Sequence, residues 1–282
     1  MESKRLRPAK SSRKAESGVS ESHVDTAWEK IDERKFIRAI GRGLDVLRCF
    51  NPGETALGNL EIARRVGLTK STVSRITYTL MKLGYVTYLP SSEKYQLAAP
   101  VLSLGYATLA GLAIVEKSLP IMTELATYAN GAVALGSRDR LSIIYVQHVH
   151  SPSTVTLRLS VGSRVPLATT AIGRAFLLAL PKQERAFLLG RIKSSRPTLW
   201  PTIEKGLEHA SEEYREHGFC TSFGDWQRDV WGIAAPVMSQ DGSKLLSLNC
   251  AVPAYACDKE HLLKAIGPRL LAAIGGISRQ FV

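Results

Sequence analysis

The segment GLTKSTVSRITYTLMKLGYV, residues 67–86, constrains the fold of this chain more than any other. Its first glycine can end one helix, and Thr69 stands where an N-cap residue would begin the next. Apolar side chains recur within that next helix at spacings of three and four residues, at Val73, Ile76, Leu80 and Leu83. Such a stripe predicts a helix that buries one face. The polar residues between these positions are therefore expected to face outward.

The sequence on either side of this segment extends the pattern to a small domain. Residues 37–50 and 57–66 each carry an apolar stripe at helical spacing, and an Asn-Pro-Gly turn separates them. The stretches GYVTYLP and KYQLA then alternate like two short strands joined at residues 91–93. Three helices followed by a hairpin predict a winged helix-turn-helix over residues 35–98, with the opening segment as its recognition helix.

The outward face of this helix carries hydroxyl groups and cations, which suit the major groove of DNA. Serine and threonine can bond base edges or phosphates, arginine can pair with guanine, and a helix N-terminus attracts a phosphate. We predict the following DNA-binding residues on this helix and the wing: Thr69, Lys70, Ser71, Thr72, Ser74, Arg75, Thr79 and Lys94. Taken alone, Lys70 or Arg75 could simply be solvated. Solvation does not explain why the turn, the cap, the apolar stripe and the hairpin occur together.

The charge of the chain agrees with a polyanionic partner. Lysine and arginine number 37 against 25 aspartates and glutamates, a net charge of +12, and residues 36–100 hold nine basic and four acidic side chains. Such a balance suits nucleic acid or an anionic membrane surface. Residues 1–34 resemble a disordered basic tail, whose run KRLRPAKSSRK either touches phosphates or is simply solvated.

Cysteine and histidine usage gives no framework for zinc or disulfides. No C-x-x-C pair occurs among the four cysteines Cys49, Cys220, Cys250 and Cys257, which fits a reducing cytoplasm. His148 and His150 lie two apart on a predicted strand and could share a face, but no third metal ligand stands near them. We therefore expect no metal and no cofactor.

The sequence also lacks the patterns typical of membrane insertion and of catalysis. No apolar run follows the basic N-terminus as in a signal peptide, and the apolar stretch 101–115 is too short for a span of about 20 residues. The sequence lacks a G-x-S-x-G elbow, a P-loop, a G-x-G-x-x-G turn and an H-E-x-x-H pair. We expect no membrane partner and no enzymatic activity.

Several longer motifs resemble the IclR family of bacterial transcription regulators. They are AIGRGLDVLRCF, LEIARRVGLTKSTVSRITYTLMKLGYV, KYQLAAPVLSLGYATLAG, VGSRVPLATTAIGRAFLLALP and YREHGFCTSFGDWQRDVWGIAAPV. The resemblance covers about residue 36 to the C-terminus, and the fourth motif makes it specific. It implies an α+β protein: a winged helix-turn-helix, a linker helix over residues 99–118, and a GAF-like α/β effector-binding domain over residues 119–282. It also implies a homodimer or a dimer of dimers, and no catalysis.

The linker segment is apolar on several sides when its residues are considered alone. Its residues Leu102, Leu104, Leu109, Leu112 and Ile114 cannot all face one core. Packing against a partner chain is the favoured interpretation, and packing within one monomer is the alternative. A two-fold dimer would match a pseudo-palindromic operator, because two half-sites a helical turn apart add their affinities.

The C-terminal half predicts a central sheet covered by helices, with three segments as candidates for a ligand site. They are PLATTAIGRA, TSFGDWQRDVWG and SLNCAV. Carried over from the resemblance, with one aromatic wall added, the predicted effector-binding residues are Ala171, Ile172, Ser222, Val230, Trp231, Gly232, Asn249 and Ala251. Phe223 and Trp226 are further possible aromatic walls. The chain departs from common family forms at Ala168, Ser222 and Gly232.

The function expected from these features is a ligand-responsive regulator of a catabolic operon, with a small aromatic or aliphatic acid as effector. A ligand between sheet and loops would change how the sensor domains meet and so shift the spacing of the recognition helices. Two alternatives stay open: a DNA-binding or architectural protein that senses nothing, and an enzyme with a fused DNA-binding domain.

Overall fold

The computed structural model describes residues 35–152 and 159–281. The predicted basic tail lies outside the described residues, as does most of the predicted strand TVTLRLS, residues 154–160.

The N-terminal part is a winged helix-turn-helix, as predicted. Its elements are α1 (Arg38–Arg48), β1 (Leu57–Gly58), α2 (Asn59–Val66), α3 (Lys70–Lys82), β2 (Val86–Leu89) and β3 (Lys94–Leu97). The three strands form an antiparallel sheet in the order β1-β3-β2, of which the sequence analysis missed only the two-residue β1. Val46, Ile62 and Val73, one from each helix, have no exposed surface and form the centre of this core.

Sequence signals in the turn between α2 and α3 act as expected. Gly67 adopts the left-handed conformation with φ 65°, which ends α2 at low steric cost. Thr69 is the N-cap of α3, and its side chain accepts a hydrogen bond from the backbone amide of Thr72 at 3.3 Å. Two hydrogen-bonded turns therefore fix the angle between α2 and the recognition helix.

Part of the predicted apolar stripes faces solvent. Leu83 was expected in the core but is 63% exposed, because it is the C-cap of α3 and lies beyond the buried face. The centre of that face is Val73, Thr77 and Leu80, and the Thr77 hydroxyl donates to the carbonyl of Val73 at 2.9 Å. The outward side chains of α1 and α2 include four apolar residues also expected inside: Ile37, Ile40, Leu44 and Leu60.

The prediction of one continuous linker helix is wrong. The structure has α4 (Pro100–Ala110) and α5 (Ala113–Ala129), which meet at an angle of 79° around Gly111 and Leu112. Helix α4 has no buried residue, whereas α5 packs into the C-terminal core through Ile114, Met122 and Leu125. In the described ranges no single helix has both the length and the hydropathy to cross a bilayer, although the bent α4–α5 pair reaches both together.

The C-terminal part contains a six-stranded antiparallel sheet in the order β6-β5-β4-β9-β8-β7. Its strands are β4 (Ala132–Asp139), β5 (Ser142–His150), β6 (Arg164–Pro166), β7 (Cys220–Phe223), β8 (Val230–Met238) and β9 (Leu245–Pro253). The helices are α6 (Ala171–Ala179), α7 (Lys182–Ser195), α8 (Trp200–His217), α9 (Lys259–His261) and α10 (Gly267–Ser278), with a π-helical turn (Leu262–Ile266) before α10. This arrangement confirms the predicted central sheet covered by helices.

The sheet separates two apolar cores. On one face α5, the π turn and α10 bury Met122, Leu248 and Leu270. On the other face α6 and α8 bury Ile143, Ile172 and Ile203. The second face is incompletely filled at the N-terminal end of α6, and the cavity described below lies there.

The two parts are joined by an interdomain ion cluster, which consists of Asp45, Arg48, Asp139, Arg140 and Arg164. Arg48, at the end of α1, donates through Nη2 to both oxygens of Asp139 at 2.7 and 2.8 Å. The Nε of Arg164 lies 3.0 Å from Asp139, and its Nη1 donates to the carbonyl of Arg48 at 3.1 Å. Arg140 contacts the buried Asp45 at 3.0 Å. The cluster thus connects α1 to the β4–β5 turn and β6.

Candidate functional sites

The outward face of α3 carries most of the residues predicted to contact DNA. Lys70, Ser71, Ser74, Arg75 and Thr79 are exposed on it, and Thr72 is half-buried. Lys94 is exposed at the start of β3, next to the turn at the tip of the hairpin. The structure thus places cations and hydroxyls together on one surface, as the sequence predicted.

Local hydrogen bonds limit what some of these hydroxyls can do. The Thr69 hydroxyl lies 2.9 Å from that of Thr72 and 3.2 Å from that of Ser71, so these groups form a network around the helix cap. The Thr79 hydroxyl donates to the carbonyl of Arg75 at 3.0 Å. The long side chains of Lys70 and Arg75 are therefore the members best able to reach a base or phosphate.

Two contacts on this surface were not predicted. The side chain of Asn59, at the start of α2, donates to the hydroxyl of Ser74 and ties the two helices together. Tyr78 is 58% exposed on α3, and the Lys82 ammonium lies 5.4 Å from its ring centroid. The exposed ring of Tyr78 adds an apolar surface of the kind that can contact a thymine methyl group.

A cavity lies between the second face of the C-terminal sheet and the first turn of α6. Its empty volume is about 530 Å³, which includes its mouth. Seven of the eight predicted effector-binding residues line it: Ala171, Ile172, Ser222, Val230, Gly232, Asn249 and Ala251. Trp226, one of the predicted aromatic walls, lines it too. Three separate segments of the sequence are thus brought to one site by the sheet.

Small side chains leave the space for this cavity. Ala132 and Ala134 on β4 stand beside Ala251 and Asn249 on β9, and Gly232 on β8 pairs with Ala251. The first residue of α6 lies directly above this floor, since a Cβ added to Gly232 would be only 3.4 Å from Cβ of Ala171. Larger residues at these floor positions would fill the cavity.

Trp231 was predicted in the site and lies elsewhere. Its neighbours Val230 and Gly232 line the cavity, and alternate residues of a strand point to opposite faces. Trp231 accordingly packs against the α5–α10 core and forms a T-shaped ring pair with Phe223, with centroids 5.2 Å apart and planes at 90°. Phe223 is also absent from the lining, so of the proposed aromatic walls only Trp226 contributes.

A β-bulge supplies two lining residues that the sequence analysis missed. The pairing of β4 with β5 shifts between Leu135 and Gly136, so Gly136 lies opposite Tyr145 whereas Ala134 lies opposite His148. The shift brings Tyr145 and His148 to the same face although they are three residues apart. Their rings stack with centroids 5.8 Å apart, and both line the cavity. Burial lowers the pKa of His148, and the nearby His150 lowers it further.

Asn249 is a buried polar side chain of the floor, with 6% of its surface exposed. A side-chain hydrogen bond links it to Tyr145, whose pKa is raised above its usual value because the phenol is buried. The Asn249 Oδ1 atom is buried and has no hydrogen-bond partner in the part of the chain that the structure describes. The floor of the cavity therefore presents one unsatisfied acceptor.

The N-terminal end of α6 forms the opposite wall. Thr170 is its N-cap: the hydroxyl accepts from the amide of Gly173 at 3.2 Å and donates to the carbonyl of Pro166 at 2.6 Å. Ala171 and Ile172 provide the first helical amides and line the cavity. Such amides, with the helix dipole, favour an anion. Among the described residues no lysine or arginine lines the cavity, so an anion there would depend on these amides and not on a lysine or arginine side chain.

The buried Arg174 holds this wall in place. It donates to the carbonyls of Ala168 and Thr221 at 3.1 and 3.0 Å and to Asp225 at 2.7 Å. Ser222 adds a hydrogen bond to the carbonyl of Thr169 at 3.1 Å. These bonds fix the β6–α6 turn against β7 and the loop that carries Trp226. Asp225, whose side chain is itself partly exposed, is thus the ion-pair partner of this buried arginine.

Comparison with known proteins places both parts of the chain in one family. The model for the IclR helix-turn-helix domain matches residues 39–90, and that for the bacterial transcriptional regulator IclR C-terminal domain matches residues 106–279. An IclR family transcriptional regulator from Brucella abortus has 43% identity and a TM-score of 0.81, covering 90% of this chain and 96% of that one.

Curated relatives match this chain along most of its length. The HTH-type transcriptional regulator TsaQ1/TsaQ2 of Comamonas testosteroni is 30% identical over 247 residues, or 87% of this chain and 88% of the relative. The Pca regulon regulatory protein of Pseudomonas putida is 26% identical over 250 residues, or 87% and 84% of the two chains. Members of this family are transcription regulators and not enzymes. The chain belongs to the IclR family of DNA-binding transcription regulators.

Proposed function

We propose that this regulator senses a small organic acid, aromatic or aliphatic, and that its affinity for a catabolic operator changes when the acid binds. The observation that carries the proposal is the cavity, in which the first turn of α6 faces the buried Asn249 across a floor of small residues. A carboxylate at the helix amides would leave the apolar body against Ile172 and Trp226.

The DNA contacts in this proposal come from the exposed face of α3 and from the wing. Lys70, Ser71, Ser74 and Arg75 lie at the end of α3 that would enter the major groove, and Thr69 and Thr72 position that end through the cap. Thr79 and Lys94 extend the surface along the helix and to the hairpin. Arg75 is the residue we assign to base recognition.

A homodimer, or a dimer of dimers, would act on a pseudo-palindromic operator in the cytoplasm. The support is a set of exposed apolar side chains on α1, its N-cap and α4: Ile37, Ile40, Leu44, Leu102, Leu104 and Tyr106. A helix such as α4, with no buried residue, is expected to be covered in a stable assembly. Sedimentation measurements on the wild type and on Leu102→Lys would test this, since the charge should dissociate the dimer.

The direct test of sensing is operator binding with and without candidate acids. Ligand-free protein is footprinted on DNA upstream of its own gene while aromatic and aliphatic acids are titrated. A shift in operator affinity with at least one acid supports sensing. A protein that only binds DNA would instead show a steep salt dependence, weak sequence preference and the same affinity with every acid.

A further inference from the structure

The unsatisfied acceptor in the cavity floor restricts the chemistry of the ligand. Asn249 projects from β9 between Ala134 on β4 and Ala234 on β8, in the middle of the six-stranded sheet. The strands on both sides carry only methyl groups at these positions, so no neighbour across either ladder can bond the amide. Its Oδ1 atom is buried and unpartnered within the described ranges.

Tyr145 determines which end of the amide is committed. Because the Oδ1 atom has no partner, the side-chain hydrogen bond between Asn249 and Tyr145 runs from the amide Nδ2 to the phenol oxygen. With Nδ2 committed in this way, the atom left without a partner is an acceptor. The stacking of His148 on Tyr145 holds the phenol in place, and the bulge at Leu135–Gly136 holds both rings on this face.

We infer that the effector carries a hydroxyl group that donates a hydrogen bond to Asn249 Oδ1, at a distance from the carboxylate that α6 receives. The inference rests on the proposed function and names the ligand class of the same cavity: a hydroxy acid. Burying a polar group without a partner is unfavourable, so a site with a buried acceptor selects against a ligand that cannot donate to it. An ether oxygen at the same place would meet Oδ1 as a second acceptor and be repelled.

Two sets of matched acids test this selectivity with the purified full-length chain. The aromatic set is benzoate, para-hydroxybenzoate and para-methoxybenzoate, and the aliphatic set is butanoate, gamma-hydroxybutanoate and gamma-methoxybutanoate. Calorimetry measures the Kd of each acid in the absence of DNA. The expected result is that at least one hydroxy acid binds about tenfold or more tightly than both of its matched partners.

Two variants test whether the preference for a hydroxyl group depends on Asn249 and Tyr145. Asn249→Leu has a similar volume without the acceptor and should bind the hydroxy and unsubstituted acids equally. Tyr145→Phe frees the amide to present Nδ2 instead, so discrimination against the methoxy acid should fall while binding persists. Thermal unfolding of each variant verifies that the domain is folded.

The outcomes separate this inference from the proposed function. Binding of an acid with no preference for the hydroxyl, or a preference that survives in Asn249→Leu, overturns the inference but leaves acid sensing intact. Failure of both hydroxy acids to bind also overturns it for these scaffolds, whereas sensing is decided by the operator titration with the wider panel. A hydroxyl preference that disappears in Asn249→Leu supports both.

Discussion

Asp139 accepts hydrogen bonds from Arg48 at 2.7 and 2.8 Å and also lies 3.0 Å from Arg164. Arg48 ends the first helix of the DNA-binding domain, while Arg164 begins the strand that leads directly to Thr170, the cap of α6. Only six positions separate Arg164 from the cap at the cavity wall. The helices α4 and α5 form one connection between the DNA-binding domain and the cavity. The ion pairs of Asp139, continued by the backbone from Arg164 to Thr170, therefore form a second one.

Replacing Asp139 by Asn should weaken the communication between ligand and operator more than it weakens the fold. The side chains of Asp139 and Arg48 are partly exposed, so solvent screening limits their effect on stability to about 1 kcal/mol or less. The ratio of operator affinities with and without acid should nevertheless fall toward unity. Fluorescence anisotropy with labelled operator DNA measures that ratio.

A control for this change is available on the same strand. Arg138 contacts Glu184 of α7 at 3.3 Å, also at the surface, and among the described residues the contacts of this pair stay within the C-terminal part. Glu184→Gln should leave the ratio unchanged. Equal ratios for wild type and Asp139→Asn would show that the interdomain ion cluster plays no part in the response.

Arg75→Ala should reduce operator affinity by about 1–3 kcal/mol if the guanidinium reads a base. The loss should be smaller on non-specific DNA, because a base contact adds specificity whereas a phosphate contact strengthens binding to all sequences. Anisotropy titrations on both DNAs measure the difference. Arg215→Ala, on the exposed side of α8, is the control for general charge loss. Unchanged operator affinity would remove Arg75 from the recognition surface.

Thr69→Ala should destabilise the DNA-binding domain by about 0.5–2 kcal/mol, because the amide of Thr72 loses its capping acceptor. Urea unfolding followed by circular dichroism gives the free energy. Ser71→Ala, two residues along, removes a hydroxyl without removing the cap and should have a smaller effect. Equal stabilities for the two variants would contradict the capping role.

Trp226 and Trp231 should respond differently to ligand. Trp226 lines the cavity, whereas Trp231 packs against the core on the other side of β8. Trp226→Phe should weaken acid binding with little loss of stability, and Trp231→Phe should lower the melting temperature with little effect on acid binding. Calorimetry and thermal unfolding of the two variants check both parts. The opposite pattern would contradict the assigned site, because it would place the ligand on the face of the sheet that packs against α5 and α10.

Local sequence patterns were sufficient for the winged helix-turn-helix and for most of the cavity. Gly67, Thr69 and the spacing from Val73 to Leu80 are short-range signals, and the structure bears them out. The placement of Trp231 could have been corrected from the sequence. Strand residues alternate between faces, so Trp231 could not share a face with both Val230 and Gly232.

Other features depend on contacts distant in sequence. The pairing shift at Leu135–Gly136 decides that Tyr145 and His148 line the cavity, and nothing within either strand alone signals it. The exposure of Ile37 and Leu102 has a similar cause, because helical spacing indicates an apolar face but not whether the same chain covers it. The bend near Gly111 is also set by packing, since α5 must follow the sheet while α4 leaves it.

The most direct test of the account measures acid binding and operator binding on the same preparation. Calorimetry first identifies an acid that occupies the cavity, using Gly232→Leu, which fills the floor beneath Ala171, as the variant that should lose binding. Anisotropy at saturating acid should then show operator affinity changed about 5–150-fold, corresponding to a coupling of about 1–3 kcal/mol. Full occupancy of the cavity with an unchanged operator affinity would contradict the account.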